Sequence, residues 1–261
     1  MIPQHVDYDA VASTYNRRFA EERRNGTLQA LREMTQAMGG DRVLEVGCGT
    51  GHWLASLRGV PNGLYGIDLS AGMLEQAQGR ALPFRLIRGR AEALPFAAAS
   101  FGLVCCVNAI HHFARPDEFI RQARLVLRPG GALAVLGMDP RIHRHDWYVY
   151  DYFDGVYENE LRRFPAWEQE QAWMAQCGFE RVELKLVDEM GKPKHGRDVL
   201  EDLFLEKNAT SQLILLTDQA YAAGLERIRG ALENAEAMGK TLIFRNTIRI
   251  QMLTGWVARP R

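Results

Sequence analysis

The sequence has no apolar run long enough to cross a bilayer, no C-x-x-C pair and no net charge. Thirty-two basic side chains balance 32 acidic ones, which removes any bulk attraction to nucleic acid or to an anionic membrane. The four cysteines, Cys48, Cys105, Cys106 and Cys177, lack the spacing of a zinc site or a disulfide framework. Cys105 and Cys106 sit side by side in an apolar run and read as small buried hydrophobes, in keeping with a reducing compartment. Met1-Ile2-Pro3-Gln4-His5 has no basic-then-apolar layout, so no secretory signal is expected and a cytoplasmic protein is. Internal repeats and low-complexity segments are also missing. His143-Arg144-His145-Asp146 lacks the further ligands a metal site needs, so no metal is expected there.

With 261 residues, the chain is long enough for one large domain, or a domain with a subdomain. Its most pointed stretch is Val43-Leu44-Glu45-Val46-Gly47-Cys48-Gly49-Thr50-Gly51. A β-branched apolar run breaks into glycines spaced G-x-G-x-G, and His52 to Leu57 then reads as the start of a helix. Strand, glycine turn and helix in that order form a nucleotide cradle, because glycine permits the tight turn and a close ligand approach. Glu45 lies inside the strand, where an acid needs a partner, and a cationic group on a ligand is one.

Upstream, residues 7–38 read as helical. Tyr8, Val11, Ala12, Tyr15 and Phe19 form a stripe, and a second helix from Leu28 to Met38 stops at Gly39-Gly40. Packing is the simpler reading of Tyr8 and Tyr15, with Tyr15 kept as a candidate cofactor contact. From residue 42 strands alternate with helices: strands at 42–47, 64–68, 84–88, 102–107 and 132–137, helices at 51–58, 71–79 and 116–127. Near-continuous apolar strands in a β-α-β pattern predict a parallel sheet covered on both faces, with the ligand at the strands' C-terminal ends. Beyond Asp139 the character shifts. Residues 140–160 are rich in histidine, aspartate and aromatics, a helix is expected at 165–177, a strand at 179–188, mainly helix over 192–240, and a partly exposed strand at 241–257.

A second motif, Gly66-Ile67-Asp68-Leu69-Ser70, ends the second strand with an acid able to accept both hydroxyls of a ribose. The plainer role for Asp68 or Ser70 is a helix N-cap. His111 and His112 follow the fourth strand, where a base can reach a ligand. Helix capping or cofactor orientation is the alternative for them.

Five pieces now stand in order: VLEVGCGTG (43–51), YGIDLSAGMLEQA (65–77), GRAEALPF (89–96), FGLVCCVNAIHHF (101–113) and LRPGG (127–131). In this order and spacing the chain resembles a class I S-adenosylmethionine-dependent methyltransferase of the small-molecule kind. The resemblance covers roughly residues 40–138. It implies a Rossmann-like α/β fold with a seven-stranded, mostly parallel sheet, helices on both faces and a helical lid. N-terminal helices (1–40) would cover the cofactor crevice, 41–139 would form the S-adenosylmethionine-binding core, and 140–261 would complete the sheet with substrate-covering insertions at about 140–160 and 192–240.

The same resemblance assigns roles. Glu45 and the backbone of Gly47, Cys48, Gly49 and Gly51 would face the methionine part of the cofactor. Asp68 would hold the ribose, Leu69 and Met73 would flank the adenine, Ala91 and Glu92 would line its edge, and Asn108 would lie near the methyl. Many relatives carry Asp where this chain has Arg90, so Glu92 or backbone atoms would have to receive the adenine amino group. Transfer from a sulfonium is an in-line displacement driven by alignment, and a base, His111 or His112, is needed only if the acceptor arrives protonated. The expected partner is a small-molecule methyl acceptor, attacked at O, N or C, with no nucleic acid and no membrane. Asn108-Ala109-Ile110-His111 is not the Asn-Pro-Pro-Tyr type of tetrad used on nucleobases. Two alternatives remain at this stage: a nicotinamide-dependent oxidoreductase, for which the G-x-G-x-G spacing is a poor match, and a non-catalytic S-adenosylmethionine-binding partner subunit.

Overall fold

A computed structural model describes residues 6–13, 15–16, 25–59, 62–80, 83–142 and 144–259. The first strands are β1 (Val43–Val46), β2 (Leu64–Asp68), β3 (Phe84–Arg88), β4 (Phe101–Val107) and β5 (Leu127–Gly137). After them come β6 (Phe179–Met190) and β9 (Ile248–Val257), separated in sequence by the short pair β7 (Lys194–His195) and β8 (Ile243–Phe244). Seven strands form one sheet in the order β3-β2-β1-β4-β5-β9-β6, and β7 pairs with β8 alone. The neighbours from β3 through β5 are parallel, whereas β9 runs antiparallel to both β5 and β6. Every residue of β1 and β4 is buried, which explains their continuous apolar runs: both faces of a central parallel strand are covered.

The helices are α1 (Asn25–Ala37), α2 (His52–Ser56), α3 (Ala71–Gln78), α4 (Pro116–Val126), α5 (Val149–Tyr152), α6 (Val156–Arg163), α7 (Trp167–Gln176), α8 (Ser211–Ile214) and α9 (Asp218–Ala237). Leu31, Met34, Trp53 and Leu54 pack on one face of the sheet, while Phe119, Ile120, Ala123, Trp167 and Met174 pack on the other. The seven-stranded, mostly parallel α/β sheet matches the sequence expectation. Among the described residues no helix is long and apolar enough to cross a membrane.

Two expectations are corrected. The stripe from Tyr8 to Tyr15 forms turns rather than a regular helix, closed by Tyr15 N–H to Val11 C=O at 3.0 Å; Phe19 lies outside the described residues. Its spacing still has a purpose, because Tyr8, Val11, Ala12 and Tyr15 pack as one cluster with Met73 of α3 and Ile214 of α8. The stretch 241–257 is two strands. The longer, β9, lies inside the sheet with Met252 to Gly255 buried. The polar alternation belongs to its start, where Arg249 pairs with Asp146 at 2.7 Å and Glu189 at 3.3 Å. Segment 192–240 is mainly helical as expected, with 3-10 turns at Gly196–Glu201 and Leu203–Leu205 and short α8 before the long α9, and it also holds β7.

Where a lid is expected, at about 140–160 and 192–240, α5, α6, α8 and α9 pack on one another, and the aromatics Trp147, Tyr148 and Phe153 are almost completely buried. Phe153 reaches α9 at Gly224, where a Cβ would stand 2.2 Å from the ring, so only glycine allows the two helices to meet. Asp202 ties the lid together. One of its oxygens accepts from the Tyr148 hydroxyl (3.1 Å) and the Asn246 amide (2.8 Å), and the other caps Phe204 N–H (3.1 Å).

Candidate active site

The G-x-G-x-G turn is left-handed at Gly47 (φ 74°), Gly49 (φ 51°) and Gly51 (φ 69°), a conformation that explains the residue choice. Four of its N–H groups are already used. Gly47 and Cys48 donate to Ile67 C=O (2.8 and 3.1 Å), Gly51 to Cys48 C=O (2.9 Å) and Gly49 to Asp68 Oδ2 (2.7 Å). The turn therefore locks β1 to β2 and offers a bare backbone surface rather than a row of open donors.

A cavity of about 480 Å³ opens over the C-terminal ends of β1, β2 and β4. Of the sequence-predicted cofactor residues, Tyr15, Gly47, Gly49, Asp68, Leu69, Met73, Ala91, Glu92 and Asn108 line it. Glu45, Cys48 and Gly51 do not, which corrects the expectation that they face the ligand. Cys48 points into the core beside Leu54, and Gly51 is the N-cap of α2. Glu45 is 1% exposed, with both carboxyl oxygens buried beneath the turn. Burial, with the nearby Asp68 charge adding to it and the Leu54 N–H partly offsetting it, pushes its pKa well above the usual carboxylate range.

Asp68 is the polar centre of the cavity. Burial raises its pKa, partly offset by N–H donors, among them Ser70 at 2.9 Å and Gly49 at 2.7 Å, one on each carboxyl oxygen. Each oxygen then keeps a lone pair for one hydroxyl of a vicinal diol. Exposed Leu69 and buried Met73 provide apolar surface beside it. Glu92 accepts from the Ala114 and Arg115 N–H groups (2.8 and 3.2 Å) and pairs with Arg90 at 3.3 Å, so the Arg90 departure is absorbed by a local ion pair. The N-terminal segment closes the cavity: Asp9 accepts from Ser70 Oγ (2.5 Å) and Gly72 N–H (2.8 Å), and Asn16 Oδ1 accepts from Thr50 Oγ1 (2.7 Å).

A second cavity of about 110 Å³ lies under the lid and shares Tyr8, Tyr15, Val107, Asn108 and His112 with the first. Asn108 sits at this seam with φ 49°, an uncommon left-handed conformation for a residue with a side chain. The two histidines part company here. His111 lines only the smaller cavity, stacks on Phe164 with ring centroids 3.8 Å apart, and has its pKa driven well below 6.5, first by burial and then by His112 and Arg163. His112 lines both cavities, and its Nε2 lies 2.6 Å from the Tyr8 hydroxyl.

Behind His112 runs a buried polar chain that sequence reading missed. Arg163 Nη2 lies 3.3 Å from His112 Nδ1, Arg163 Nη1 donates to Glu160 Oε1 (2.9 Å), and Gln212 Nε2 donates to Glu160 Oε2 (2.6 Å). Burial pushes the Glu160 pKa up to about 7, although Arg163 and Gln212 pull it down. Glu160 and Arg163 are three apart on α6, a spacing usual for exposed helix pairs, so nothing in the sequence marked them as interior. Of the His143–Asp146 stretch, His143 lies outside the described residues and Asp146 is engaged by Arg249.

A methyltransferase-domain family model matches residues 44–135. The chain is 31% identical over 179 residues to the ubiquinone/menaquinone biosynthesis C-methyltransferase UbiE of Stenotrophomonas maltophilia, covering 58% of this chain and 70% of that one. It is 36% identical over 116 residues to a phthiotriol/phenolphthiotriol dimycocerosates methyltransferase of Mycobacterium leprae, covering 43% of each chain. Among solved structures, the fold is similar to a putative methyltransferase from an antibiotic biosynthesis pathway of Anabaena variabilis. That match has a TM-score of 0.65 and 20% identity, and covers 87% of this chain and 96% of that one.

Proposed function

The chain belongs to the class I S-adenosylmethionine-dependent methyltransferases, and from that premise we propose that the larger cavity holds S-adenosylmethionine while the smaller one holds a small-molecule methyl acceptor. The observation that carries this reading is the seam. Two cavities of different size meet at Tyr8, Asn108 and His112, as an in-line transfer between two bound partners requires. The names of the curated relatives, a C-methyltransferase of quinone biosynthesis and a phthiotriol methyltransferase, agree with a small organic acceptor.

In this reading Asp68 takes the ribose diol, Leu69, Met73 and Ala91 enclose the adenine, and Gly47 and Gly49 let the methionine part lie against bare backbone. Bound S-adenosylmethionine supplies a methyl already activated by positive sulfur. The protein's part is alignment, exclusion of water by the N-terminal segment and lid, and handling of the acceptor's proton. His112 with Tyr8 is the pair placed for that last task, and His111, held against Phe164, shapes the acceptor pocket.

The test is equilibrium binding of labelled S-adenosylmethionine to the purified protein, with S-adenosylhomocysteine and NAD as competitors. Displacement by S-adenosylhomocysteine alone supports the reading. Displacement by NAD, or no binding, rejects it.

A further inference from the structure

Helix α6 ends against the two histidines that follow β4. Arg163, its last residue, has Nη2 3.3 Å from His112 Nδ1, and Phe164, the next residue, stacks on His111 with ring centroids 3.8 Å apart. Neighbouring residues of one segment thus meet neighbouring residues of the other. The helix end is itself fixed. Phe164 N–H donates to Glu160 C=O at 2.8 Å, and Arg141 donates to the Leu161 and Phe164 carbonyls at 3.0 and 3.1 Å, partners that a helix end needs.

Glu160 lies three residues before Arg163, and its two carboxyl oxygens go to different helices. Oε1 accepts from Arg163 Nη1 (2.9 Å) on α6, and Oε2 accepts from Gln212 Nε2 (2.6 Å) on α8. The carboxyl group cannot turn without losing one of the two bonds. The guanidinium is a rigid plane, so holding Nη1 on Glu160 fixes where Nη2 stands beside His112.

Stability is a poor reason for this arrangement. The Glu160 and Arg163 side chains are 1% and 2% exposed, so both charges have lost their water. Arg163 Nε has no hydrogen-bond partner among the described residues, which leaves the desolvation cost only partly offset. Two apolar side chains of similar size would fill the same space without that cost. They would not place a polar group beside His112 Nδ1.

We infer that Glu160 is a positioning residue: through Arg163, and tied in place by Gln212, it sets the orientation of the His112 ring at the seam. Neither Glu160 nor Arg163 lines either cavity, so the effect passes through His112 rather than through contact with a ligand. The ring's orientation then depends on the packing of α6 against α8 as well as on the sheet. That this orientation serves methyl transfer rests on the two-cavity reading, in which His112 handles the acceptor's proton.

The experiment is nitrogen NMR of the full chain labelled at histidine, recorded about one pH unit above the value of about 7 to which burial raises the Glu160 carboxyl. His112→Gln identifies the His112 signals. A neutral imidazole held as one tautomer gives two well-separated nitrogen signals, and a ring that exchanges tautomers averages them. The parent protein should show the separated pair. In the apolar double variant, Glu160→Leu with Arg163→Met, that separation should fall roughly by half, while the melting temperature and the signals of His52, His145 and His195 stay near those of the parent. An unchanged His112 pair in the folded double variant overturns the inference, because apolar packing replaces a pair that is only structural. Should the variant not fold, the unmodified protein decides. An Arg163 guanidinium fixed at both Nη atoms gives separate Nη signals, which support the inference, and one averaged signal overturns it. Calorimetry of S-adenosylhomocysteine on the parent protein reads the larger cavity separately. Failure to bind there overturns the methyl-transfer reading, while the orientation of His112 is judged on its own signals.

Discussion

The Tyr8 hydroxyl lies 2.6 Å from Nε2 of His112, a contact between residues 104 positions apart that joins the N-terminal segment to the end of β4. On its other side the ring meets Arg163, whose Nη2 lies 3.3 Å from Nδ1, so Tyr8 and Arg163 together hold the imidazole at the seam.

His112→Ala should therefore lower turnover roughly 100-fold, the scale of a lost proton-handling group, with cofactor affinity nearly unchanged. Tyr8→Phe should act in the same direction, more weakly. Parallel titrations of S-adenosylhomocysteine and initial rates separate the two quantities. Equal loss in both would make the pair a cofactor-orienting device instead.

Asp68→Ala removes an anionic acceptor for two hydroxyls and strands the Gly49 and Ser70 N–H groups. A loss of about 3 kcal/mol, or ~100-fold in cofactor affinity, is expected by calorimetry. Asp68→Asn should keep part of the binding, because its carbonyl still accepts one bond.

Asp9 pins the N-terminal segment to the start of α3. Asp9→Ala should raise the cofactor dissociation rate by roughly fivefold with little change in association, as expected for a loosened cover. Stopped-flow release of S-adenosylhomocysteine measures this. An unchanged release rate would show that the segment does not retain the ligand.

Glu170 on α7 is 2% exposed, and one of its oxygens has no hydrogen-bond partner among the described residues. Burial, and then the Asp139 charge, push its pKa up to about 8 from an ordinary 4.5. A carboxyl whose folded pKa is raised favours the fold while protonated. Its contribution is complete below about 4.5 and is lost as pH climbs through about 8. Glu170→Gln should therefore melt close to the parent at pH 5 and increasingly above it toward pH 8, by up to a few kcal/mol. Thermal melts across that window decide it, and a parallel pH dependence in both proteins would contradict the assignment.

Asp202 offers a test of the lid. Replacing it with Ala leaves Tyr148, Asn246 and Phe204 short of an acceptor in a buried setting. A loss of about 3 kcal/mol, seen as a Tm roughly 6–12 °C lower, is expected.

What was legible in the sequence were the features tied to local chemistry. Gly47, Gly49 and Gly51 demand a turn, Asp68 ends a strand, and both fall where the parallel pattern puts a ligand. β2 and β3 were readable to the residue because apolar runs bounded by turn signals define them. Contacts made across the fold were not legible. Tyr8 shows a packing stripe whether or not it meets His112. Glu160 and Arg163 look like a surface helix pair until the lid covers them. β9 carries Arg249 and Gln251 near one end, which conceals that its other end is buried between β5 and β6. Glu45 was recognised as an acid in a buried strand, but sequence cannot reveal that it lies behind the turn rather than in the cavity wall.

A crystal structure of the protein with S-adenosylhomocysteine tests the central claim most directly. The account predicts the ribose hydroxyls on the two oxygens of Asp68 and the sulfur turned toward the seam of Tyr8, Asn108 and His112, with the smaller cavity open beyond it. A nucleoside bound away from Asp68, or a sulfur facing solvent instead of the seam, would contradict it.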